Sequence, residues 1–389
     1  MEVMQAVLSN SRHPEYGTVT ISFPIPLSDY EQVLRQTASL DIGEADRADC
    51  LINEVNSVYP ILRRLDRNEA NLEELDYLAD RLDGFDYYEL AQFQALAHAR
   101  GICGVPDLIN LTFNSQQVTV IEDFSDLETI GNSHYLTTHG GSAAASELAM
   151  LDGREEALRL MYAQEGTITP YGVLYENGLK LEQVYDGRTF PLYTGTPAVL
   201  NIRVGDENSS VWLGLPMPDK RLDRMLRRSG LDNSQTQIKS YESGLPDELD
   251  AAIDFENTSL SELNRLCQGL QHLDRQELDK LAALTHLVKV HDAAELQQLS
   301  RKLDQFELIP GVHDSWELGR YMIQKSDYFA YDFRLEDFYD YRGYAEQWLT
   351  EHNGRFTMRG FISYSADTKL DQLLRDSPAP PDFYMRGME

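Results

Sequence analysis

Four acidic residues of one short segment are spaced so that they could form a binding surface. Within residues 71–90, Glu73, Asp76, Asp80 and Asp83 occur at offsets of 0, 3, 7 and 10. On an α-helix these offsets form one stripe, with successive carboxylates about 4.5–6 Å apart along the axis. Such a stripe can bind a basic surface, or it can be a solvated outer face. Like charges at this spacing each destabilise a helix by roughly 0.2–0.5 kcal/mol, so packing elsewhere must offset the cost.

Apolar residues of the same segment can supply that packing. Leu72, Leu75, Ala79 and Leu82 recur at helical spacing on another face. An apolar stripe of this kind is typical of a helix that packs against other elements. The segment is therefore predicted to be an amphipathic helix.

Catalytic and metal-binding motifs do not occur in the sequence. The nine histidines include no H-E-x-x-H motif, and His134 and His139, followed by two glycines, suit a loop better than a ligand helix. There is no glycine-rich phosphate-binding motif and no G-x-S-x-G motif. We therefore expect no catalytic residue, no metal and no cofactor, and a protein that is not an enzyme.

The whole chain is strongly acidic. It has 389 residues, with 64 Asp plus Glu against 34 Lys plus Arg and a formal net charge of −30. Solubility does not require this, because a net charge of about 2–8 in magnitude suffices for a small domain. A surface of this sign repels nucleic acid and anionic membranes, and it favours polyamines, cations or DNA-binding proteins as partners. Since 42% of the residues are hydrophobic, the chain has enough apolar material to fold.

Cysteine usage and the N-terminus favour a cytoplasmic protein. Cys50, Cys103 and Cys267 are widely spaced and form no C-x-x-C pair, so we expect reduced, structural thiols. The N-terminus lacks the basic start and apolar run of a signal peptide. Nowhere do 18 apolar residues occur together, so we expect no membrane span.

One segment concentrates basic residues on a predicted helix. These residues could contact an anionic partner or pair with the protein's own acids, and the second interpretation is favoured because five charges cannot reverse the overall field. The basic residues are Lys220, Arg221, Arg224, Arg227 and Arg228.

An aromatic run in residues 328–348 is interspersed with acids, so it is predicted to pack in a core or interface rather than to stack on bases.

The chain contains an internal duplication, whose two copies we call repeat one and repeat two. A shift of 188 places residues 71–96 over residues 259–284 with ten identical positions of 26. Upstream, residues 23–34 lie over residues 215–226, and both read as a strand, an x-Pro-x-Pro turn and a helix. The acidic stripe itself is not shared, because its four positions align with Ser261, Asn264, Gln268 and Gln271.

These patterns predict an elongated α+β protein of several domains, in which each repeat has a small sheet-and-helix part and an acidic helical part. Residues 138–146 read as a linker, and Glu176-Asn177-Gly178 and Asp186-Gly187 read as hairpin turns. The predicted divisions are a small α/β domain at 1–65, an acidic helical domain at 66–136, a linker at 137–150, a β-rich α/β domain at 151–250, a helical domain at 251–325 and an acidic, aromatic α/β tail at 326–389.

The order of several short motifs resembles the ArdA antirestriction proteins of conjugative elements and phages. The similarity covers most of residues 200–360, and repeat one shows it more faintly. The matching residues are Trp212, Leu215 and Pro216, then Tyr241, Glu242, Leu245 and Pro246, then Leu263 and Asn264, and finally Asp340, Tyr341 and Tyr344.

The resemblance implies an acidic surface that imitates DNA, occupies the DNA groove of type I restriction-modification enzymes in the host bacterial cytoplasm and inhibits them without catalysis. B-form DNA carries one negative charge per about 1.7 Å of axis, so thirty excess charges match about 15 base pairs, and carboxylates about 4.5–6 Å apart have a spacing of the same order as phosphates along one strand. An acidic adaptor that binds a basic protein without imitating DNA is the alternative. Family members are usually dimers, so a homodimer or a single-chain pseudo-dimer is implied. The acids predicted to contact the partner are Glu73, Asp76, Asp80, Asp83, Asp86, Glu89, Glu122, Asp123, Asp126, Glu128, Asp314, Glu317, Asp327, Asp332, Glu336, Asp337 and Asp340.

Overall fold

Small antiparallel sheets and short helices follow one another along the chain. The computed structural model describes residues 2–178, 180–193, 198–206, 209–232, 236–288, 290, 292–325, 330–364 and 370. Helices and separate small sheets occur throughout these residues. The predicted α+β class, with several parts each holding a sheet and helices, is confirmed.

Repeat one contains a four-stranded sheet, a group of helices and a three-stranded sheet. The first sheet has the order β2-β1-β3-β4 and the second the order β5-β7-β6. Its elements are β1 Met4–Asn10, β2 Thr18–Phe23, α1 Tyr30–Ala38, β3 Cys50–Ser57, β4 Glu69–Ala70, α2 Leu72–Asp83, α3 Tyr87–Arg100, α4 Val105–Thr112, β5 Val118–Ile121, α5 Leu127–Thr138, α6 Ala145–Met150, α7 Gly153–Ala163, β6 Thr167–Thr169 and β7 Gly172–Glu176.

Repeat two has a similar order of elements, but among its described residues it has no strand equivalent to β4 and no α-helix equivalent to α6, and it has one additional short helix after its third strand. Its sheets have the orders β10-β8-β9 and β11-β13-β12, which correspond to β3-β1-β2 and β5-β7-β6 of repeat one. Its elements are β8 Leu200–Gly205, β9 Ser210–Leu215, α8 Asp219–Arg228, β10 Gln237–Ser243, α9 Asp247–Ala252, α10 Leu260–Leu270, α11 Arg275–Leu287, α12 Ala293–Ser300, β11 Phe306–Pro310, α13 Ser315–Gln324, α14 Tyr341–Glu351, β12 Asn353–Thr357 and β13 Gly360–Tyr364.

The shift of 188 holds through the last strand of each repeat. It carries the start of α4 at Val105 to the start of α12 at Ala293, and the start of β7 at Gly172 to the start of β13 at Gly360. Because β7 pairs with β5, residues up to 176 belong to the same fold unit as residues 118–121. The predicted end of repeat one at residue 136 is therefore wrong, and the repeat continues 40 residues further along the numbering.

Several local predictions for residues 137–199 differ from the structure. The predicted linker contains the end of α5 and all of α6, and His134 lies within α5 rather than in a loop. The only strands described between residues 137 and 199 are β6 and β7. The predicted hairpin turns at Glu176-Asn177-Gly178 and Asp186-Gly187 therefore do not join two strands among the described residues. The hairpin lies earlier, between β6 and β7, with its turn at Pro170 and Tyr171. Short turn-forming sequences outnumber real hairpins because pairing also needs a second strand nearby.

Predictions for the strand-to-helix turns agree with the structure. β2 ends at Phe23 and β9 ends at Leu215, each directly before an x-Pro-x-Pro sequence and a helix. The peptide bonds Phe23–Pro24 and Leu215–Pro216 are both cis. Proline suits this position because it cannot donate a hydrogen bond to a continuing strand.

Both repeats use one glycine to bring two helices together. A Cβ atom on Gly131 of α5 would lie 1.7 Å from the carbonyl oxygen of Gly153 at the start of α7. A Cβ atom on Gly319 of α13 would lie 1.8 Å from the carbonyl oxygen of Tyr341 at the start of α14. Any side chain at these positions would separate the helices, so glycine is a packing requirement in both copies.

Two compact domains do not coincide with the two repeats. The N-terminal domain comprises residues 1–196, 205–212 and 220–236, and the C-terminal domain comprises residues 197–204, 213–219 and 237–389. Repeat one lies within the N-terminal domain, and so does helix α8 from Lys220 onward, although its sequence belongs to repeat two.

The N-terminal core explains why α2 forms where the sequence predicts it. Leu72, Leu75, Ala79 and Leu82 are fully buried in one hydrophobic cluster with residues of β1 and β3. Asn71 caps the helix by accepting hydrogen bonds from the backbone amides of residues 73 and 74. The predicted amphipathic helix is confirmed.

Candidate functional site

The acidic face of α2 is buried in the N-terminal domain. Glu73 is 5% exposed, Asp76 is 2% exposed, and the adjacent Glu74 is also buried. Burying an unpaired carboxylate is very costly, so each of these groups needs a cation and hydrogen-bond donors.

Helix α8 supplies the cations. Three of its arginines each pair with one carboxylate of α2, and the six side chains together are the buried ion-pair array. The pairs and their N···O distances are Asp76–Arg221 at 2.9 Å, Glu73–Arg224 at 2.6 Å and Glu74–Arg228 at 2.6 Å.

Each carboxylate of the array also accepts a hydrogen bond from an uncharged donor. Buried acids keep their charge at low cost only when several donors surround them. The donors are the backbone amide of Ile25 for Asp76 at 2.6 Å, the Tyr30 hydroxyl for Glu73 at 3.1 Å and the Tyr185 hydroxyl for Glu74 at 2.8 Å.

Burial and ion pairing act in opposite directions on the pKa values of Arg221, Arg224 and Asp76. Burial opposes the charge on Arg221 and Arg224, yet the carboxylates of Asp76 and Glu73 raise the pKa of both guanidinium groups. Burial raises the pKa of Asp76, while Arg221 and the Ile25 amide oppose that rise. Pairing therefore favours the charged forms of Arg221 and Arg224.

Part of the predicted partner-binding stripe is thus inaccessible. The expectation that Glu73 and Asp76 contribute to an exposed acidic face is wrong, because the arginines of α8 cover them. Asp80 is half-buried and accepts a hydrogen bond from the Tyr193 hydroxyl. Of the four stripe residues, Asp83 alone is exposed.

The interpretation that the basic segment pairs with the protein's own acids is confirmed. Besides the three arginines of the array, Lys220 lies 3.3 Å from Glu31 and Arg227 lies 3.7 Å from Glu44. These two outer pairs are about half-exposed, so they stabilise the fold little, whereas the array lies in the interior.

A second group of predicted acids does converge on the surface of the N-terminal domain. A cleft of about 290 Å³ is lined by the end of β5, the following loop and the first residues of α3 and α5. We call it the acidic cleft. Its chemically distinctive lining residues are Glu122, Asp123, Asp126, Tyr87 and Tyr88.

Helix caps and one tyrosine hold the acidic cleft in shape. Asp86 caps α3 in a reciprocal capping box with Glu89, which fixes the backbone just before Tyr87. Asp126 caps α5 by accepting a hydrogen bond from the amide of residue 129. The Tyr87 hydroxyl donates to Glu122 at 2.7 Å and so joins the start of α3 to the end of β5.

The acidic cleft retains its negative charge. Hydrogen bonds from Ser125 lower the pKa of Asp123, and hydrogen bonds from Thr129 lower the pKa of Asp126. None of the described residues that line the cleft is lysine or arginine. Glu128, on the same helix as the cap, is exposed and accepts hydrogen bonds from the amides of residues 153 and 154. Tyr87 and Tyr88 are 66% and 58% exposed, so the cleft combines charge with aromatic surface.

Predicted acids of the C-terminal domain serve mainly as caps or pair with nearby arginines. Asp314 caps α13 and Asp340 caps α14. Glu317 accepts a hydrogen bond from the His313 amide. Asp332 pairs with Arg334, and Glu336 lies 3.8 Å from Arg320. Asp337 is exposed. Asp327 lies outside the described residues.

The predicted state of the cysteines and the tail aromatics is partly borne out. All three cysteines are free thiols, and Cys50 and Cys267 are buried, but Cys103 is exposed. In the tail, Tyr341 is buried, whereas Phe338 is 84% exposed. Tyr328 lies outside the described residues.

Sequence reasoning missed several residues that complete these sites. Glu74 was outside the stripe offsets, and Tyr30 and Tyr185 lie 43 and 111 positions from their glutamate partners. Only one signal pointed to Glu74, namely its identity with Glu262 in the repeat alignment. The exposed pair Tyr87 and Tyr88 was visible in the sequence as two aromatics after a capping aspartate.

Comparison with known proteins leaves the site to be interpreted from its own chemistry. Among the described residues, no group of three or more histidine, cysteine, aspartate or glutamate side chains is arranged to hold a metal ion. None of the described helices is both long and apolar enough to cross a membrane. No protein-family model matches the chain, and no curated protein is significantly similar to it.

Proposed function

We propose that this chain is an antirestriction protein of the ArdA type, which occupies the DNA groove of a type I restriction-modification enzyme or a related defence complex. The observation that carries the proposal is the acidic cleft, in which three exposed carboxylates of the loop after β5 lie beside two exposed tyrosines of α3, without a lysine or arginine among the described lining residues. The order of motifs in residues 200–360 supports the same family.

The location of the arginines strengthens the electrostatic argument. Each pair of the buried array removes one charge of each sign from the surface, so the net charge of −30 is carried by the rest of the molecule. A DNA groove is lined by lysine and arginine side chains that contact phosphates. An acidic protein surface competes for those side chains, and the competition weakens as salt screens it.

Inhibition by this mechanism needs no catalytic residue. The chain would act stoichiometrically, since each bound molecule blocks one DNA site. Binding would be fast at low salt because opposite fields steer the encounter.

A competition experiment tests the proposal. Labelled DNA carrying the enzyme's recognition site is bound to a type I restriction-modification enzyme, and this protein is titrated in. DNA should be displaced, with less displacement as salt rises. A complex that holds enzyme, DNA and this protein together would overturn mimicry.

A charge-neutralised variant tests the role of the acidic cleft. The triple substitution Glu122→Gln, Asp123→Asn and Asp126→Asn should weaken inhibition by about tenfold, since each exposed charge pair contributes up to about 1 kcal/mol. The matched control changes the net charge equally at exposed positions outside the cleft. That control is Asp46→Asn, Glu54→Gln and Glu165→Gln. Equal loss in both variants would assign inhibition to net charge alone.

The second candidate is an acidic adaptor that binds a basic protein without competing with DNA. The observation that favours it is the aromatic part of the acidic cleft, because the exposed Tyr87 and Tyr88 suit contact with protein side chains. A stable ternary complex in the competition experiment would support this function instead.

We further propose that the duplicated chain acts as a single-chain pseudo-dimer. Each chain already contains two copies of the fold that the family resemblance associates with a dimer. Light scattering after size exclusion should give a mass near the 44.3 kDa of one chain. A stable dimer would contradict this and favour the homodimer.

A further inference from the structure

A larger cleft lies in the C-terminal domain, beside the sheet of β11 and β13. Its volume is about 530 Å³, within the range of roughly 300–1,000 Å³ that is usual for small-molecule sites. The lining includes the aromatic side chains of Tyr344, Trp348 and Tyr364 and the carboxylates of Asp304 and Glu307. We call it the aromatic cleft.

Repeat one places different chemistry at the same positions. With the shift of 188, Tyr344 corresponds to Glu156 and Met322, also in the lining, corresponds to His134. In repeat one these two side chains face each other, with His134 Nε2 3.7 Å from Glu156 Oε1 and both 12% exposed. A buried polar pair in one copy is thus replaced by aromatic and apolar side chains in the other.

The carboxylates of the aromatic cleft are also specific to repeat two. Asp304 and Glu307 correspond to Gln116 and Thr119, which carry no charge. Both acids are exposed, and their side chains stand at the edge of an otherwise aromatic lining. The change from repeat one to repeat two therefore adds aromatic surface and moves the carboxylates, because Tyr344 and Tyr364 replace Glu156 and Glu176 while Asp304 and Glu307 are gained.

The indole of Trp348 is held in a fixed orientation. The His352 ring stacks on it with 3.9 Å between centroids and 4° between planes, and Phe361 packs at 5.8 Å from another side. His352 Nδ1 also lies 2.9 Å from the Trp348 carbonyl oxygen. A wall that is already ordered costs little entropy when a ligand binds.

We propose that the aromatic cleft binds an organic cation, either a guanidinium or an alkylammonium group. Aromatic faces attract cations, tryptophan most strongly, and carboxylates at the rim supply the counter-charge. No lysine or arginine occurs among the described lining residues, so the site does not neutralise itself. The cation is an arginine or lysine side chain of a basic protein, or a free polyamine, and the inference does not depend on DNA mimicry.

Indole NMR signals offer a direct test. The chain has three tryptophans, so the Trp348 indole N–H can be assigned as the signal lost in Trp348→Phe. The full-length protein is titrated with N-acetyl-arginine methylamide, with spermidine and with the neutral N-acetyl-citrulline methylamide. The cationic probes should shift the Trp348 signal to saturation, and the citrulline compound should not.

The two cationic probes distinguish the sources. Tighter binding of the arginine compound, taken per positive charge, supports a protein side chain as the ligand, and tighter binding of spermidine supports a polyamine. Equal binding of the citrulline compound, or no saturable shift with either cation, would overturn the proposal.

A pair of variants separates the site from the general acidic field. Glu307→Gln should weaken binding of the cationic probe by about threefold or more, the effect of losing one exposed charge pair. Glu346→Gln is the control, because Glu346 is exposed on α14 outside the lining. If both variants weaken binding equally, the shift reports net charge and the site is refuted. Because these probes require no restriction enzyme, failure of the antirestriction proposal would leave this result unaffected.

Discussion

Helices α2 and α10 occupy equivalent places in the two repeats but treat charge in different ways. In α2 an aspartate at position 76 accepts a hydrogen bond from the Ile25 amide and pairs with Arg221. In α10 the equivalent Asn264 accepts the corresponding hydrogen bond from the Met217 amide at 3.0 Å and donates to the Met217 carbonyl at 2.8 Å. The oxygen at this position therefore holds the proline turn in both repeats.

The carboxylates of α2 also take part in a second contact, with the arginines of α8. Among the described residues, only α2 has carboxylates that pair with the arginines of α8, and these arginines cover Glu73, Glu74 and Asp76. The substitutions between the two copies thus distinguish a helix face that pairs with charged side chains from one that does not. An acidic stripe in a sequence can therefore be an internal docking site as well as an external one.

The largest expected effect comes from breaking the array at its most buried pair. Arg228→Met should lower the free energy of unfolding of the N-terminal domain by about 3–5 kcal/mol, because it leaves Glu74 buried without its cation. Chemical denaturation measures this loss. Arg265→Ala, at an exposed position of α10, is the control and should change stability by less than about 0.5 kcal/mol. A small loss for Arg228→Met would mean that the array does not hold α8 in place.

Placing the aspartate of repeat one at the equivalent position of repeat two should also lower the free energy of unfolding. Asn264→Asp keeps the oxygen that accepts from Met217 but removes the amide that donates to the Met217 carbonyl and to Asp219. A fully buried carboxylate would then face two oxygens, and we expect a loss of about 3 kcal/mol or a strongly raised pKa at this position. Denaturation at pH 5 and pH 8 measures it, with a larger loss at pH 8. Equal stability at both pH values and no loss would contradict the comparison.

The reverse exchange should cost less and should be repairable. Asp76→Asn retains an acceptor for Ile25 but leaves Arg221 without its carboxylate, so we expect a loss of about 1–3 kcal/mol. Adding Arg221→Gln removes the unpaired cation, so the double variant should be more stable than the sum of the single losses implies. Strict additivity would show that the two side chains are not coupled.

The smallest effect concerns the titration of buried and exposed acids. Hydrogen bonds from Thr129 lower the pKa of Asp126, and burial raises the pKa of Asp76. The carboxyl NMR signal of Asp126 should therefore titrate below the ordinary aspartate value of about 3.9, and that of Asp76 above it. Because the folded-state pKa of Asp126 is lowered, its contribution to stability is complete above the unfolded value and is lost as the pH falls through the lowered value. The stability difference between the native protein and Asp126→Asn should thus disappear at strongly acidic pH, and a constant difference would contradict the shift.

Much of the local structure was accessible to sequence reasoning. The period of the leucines predicted α2, and the x-Pro-x-Pro sequences predicted the strand-to-helix turns after Phe23 and Leu215. The repeat alignment predicted two copies of one arrangement, although it ended repeat one too early. Its C-terminal part was missed because β6 and β7 are short, and because β7 pairs with β5, from which it is separated by about 50 residues.

The exposed site was only partly predictable. Asp86, Asp126, Glu122 and Asp123 were identified as candidate contact residues, and the structure brings them to neighbouring positions around one cleft. Glu122, Asp123 and Asp126 are close in the sequence, whereas the position of Asp86 and the two tyrosines beside them depends on α3 beginning beside the end of β5, which no local pattern records. The aromatic cleft was missed for the same reason, since its aromatic residues were interpreted only as packing.

The sequence by itself determined where α2 begins, which of its faces is apolar, and that the chain carries a large net negative charge. These properties depend on residues a few positions apart and on total composition. Only the tertiary structure decided that Glu73 and Asp76 point toward arginines about 150 positions away, while Asp123 and Asp126 remain in solvent. Helical periodicity predicts which side chains share a face. Long-range packing decides what covers that face, because a buried charge is stabilised by the partner that the fold places beside it.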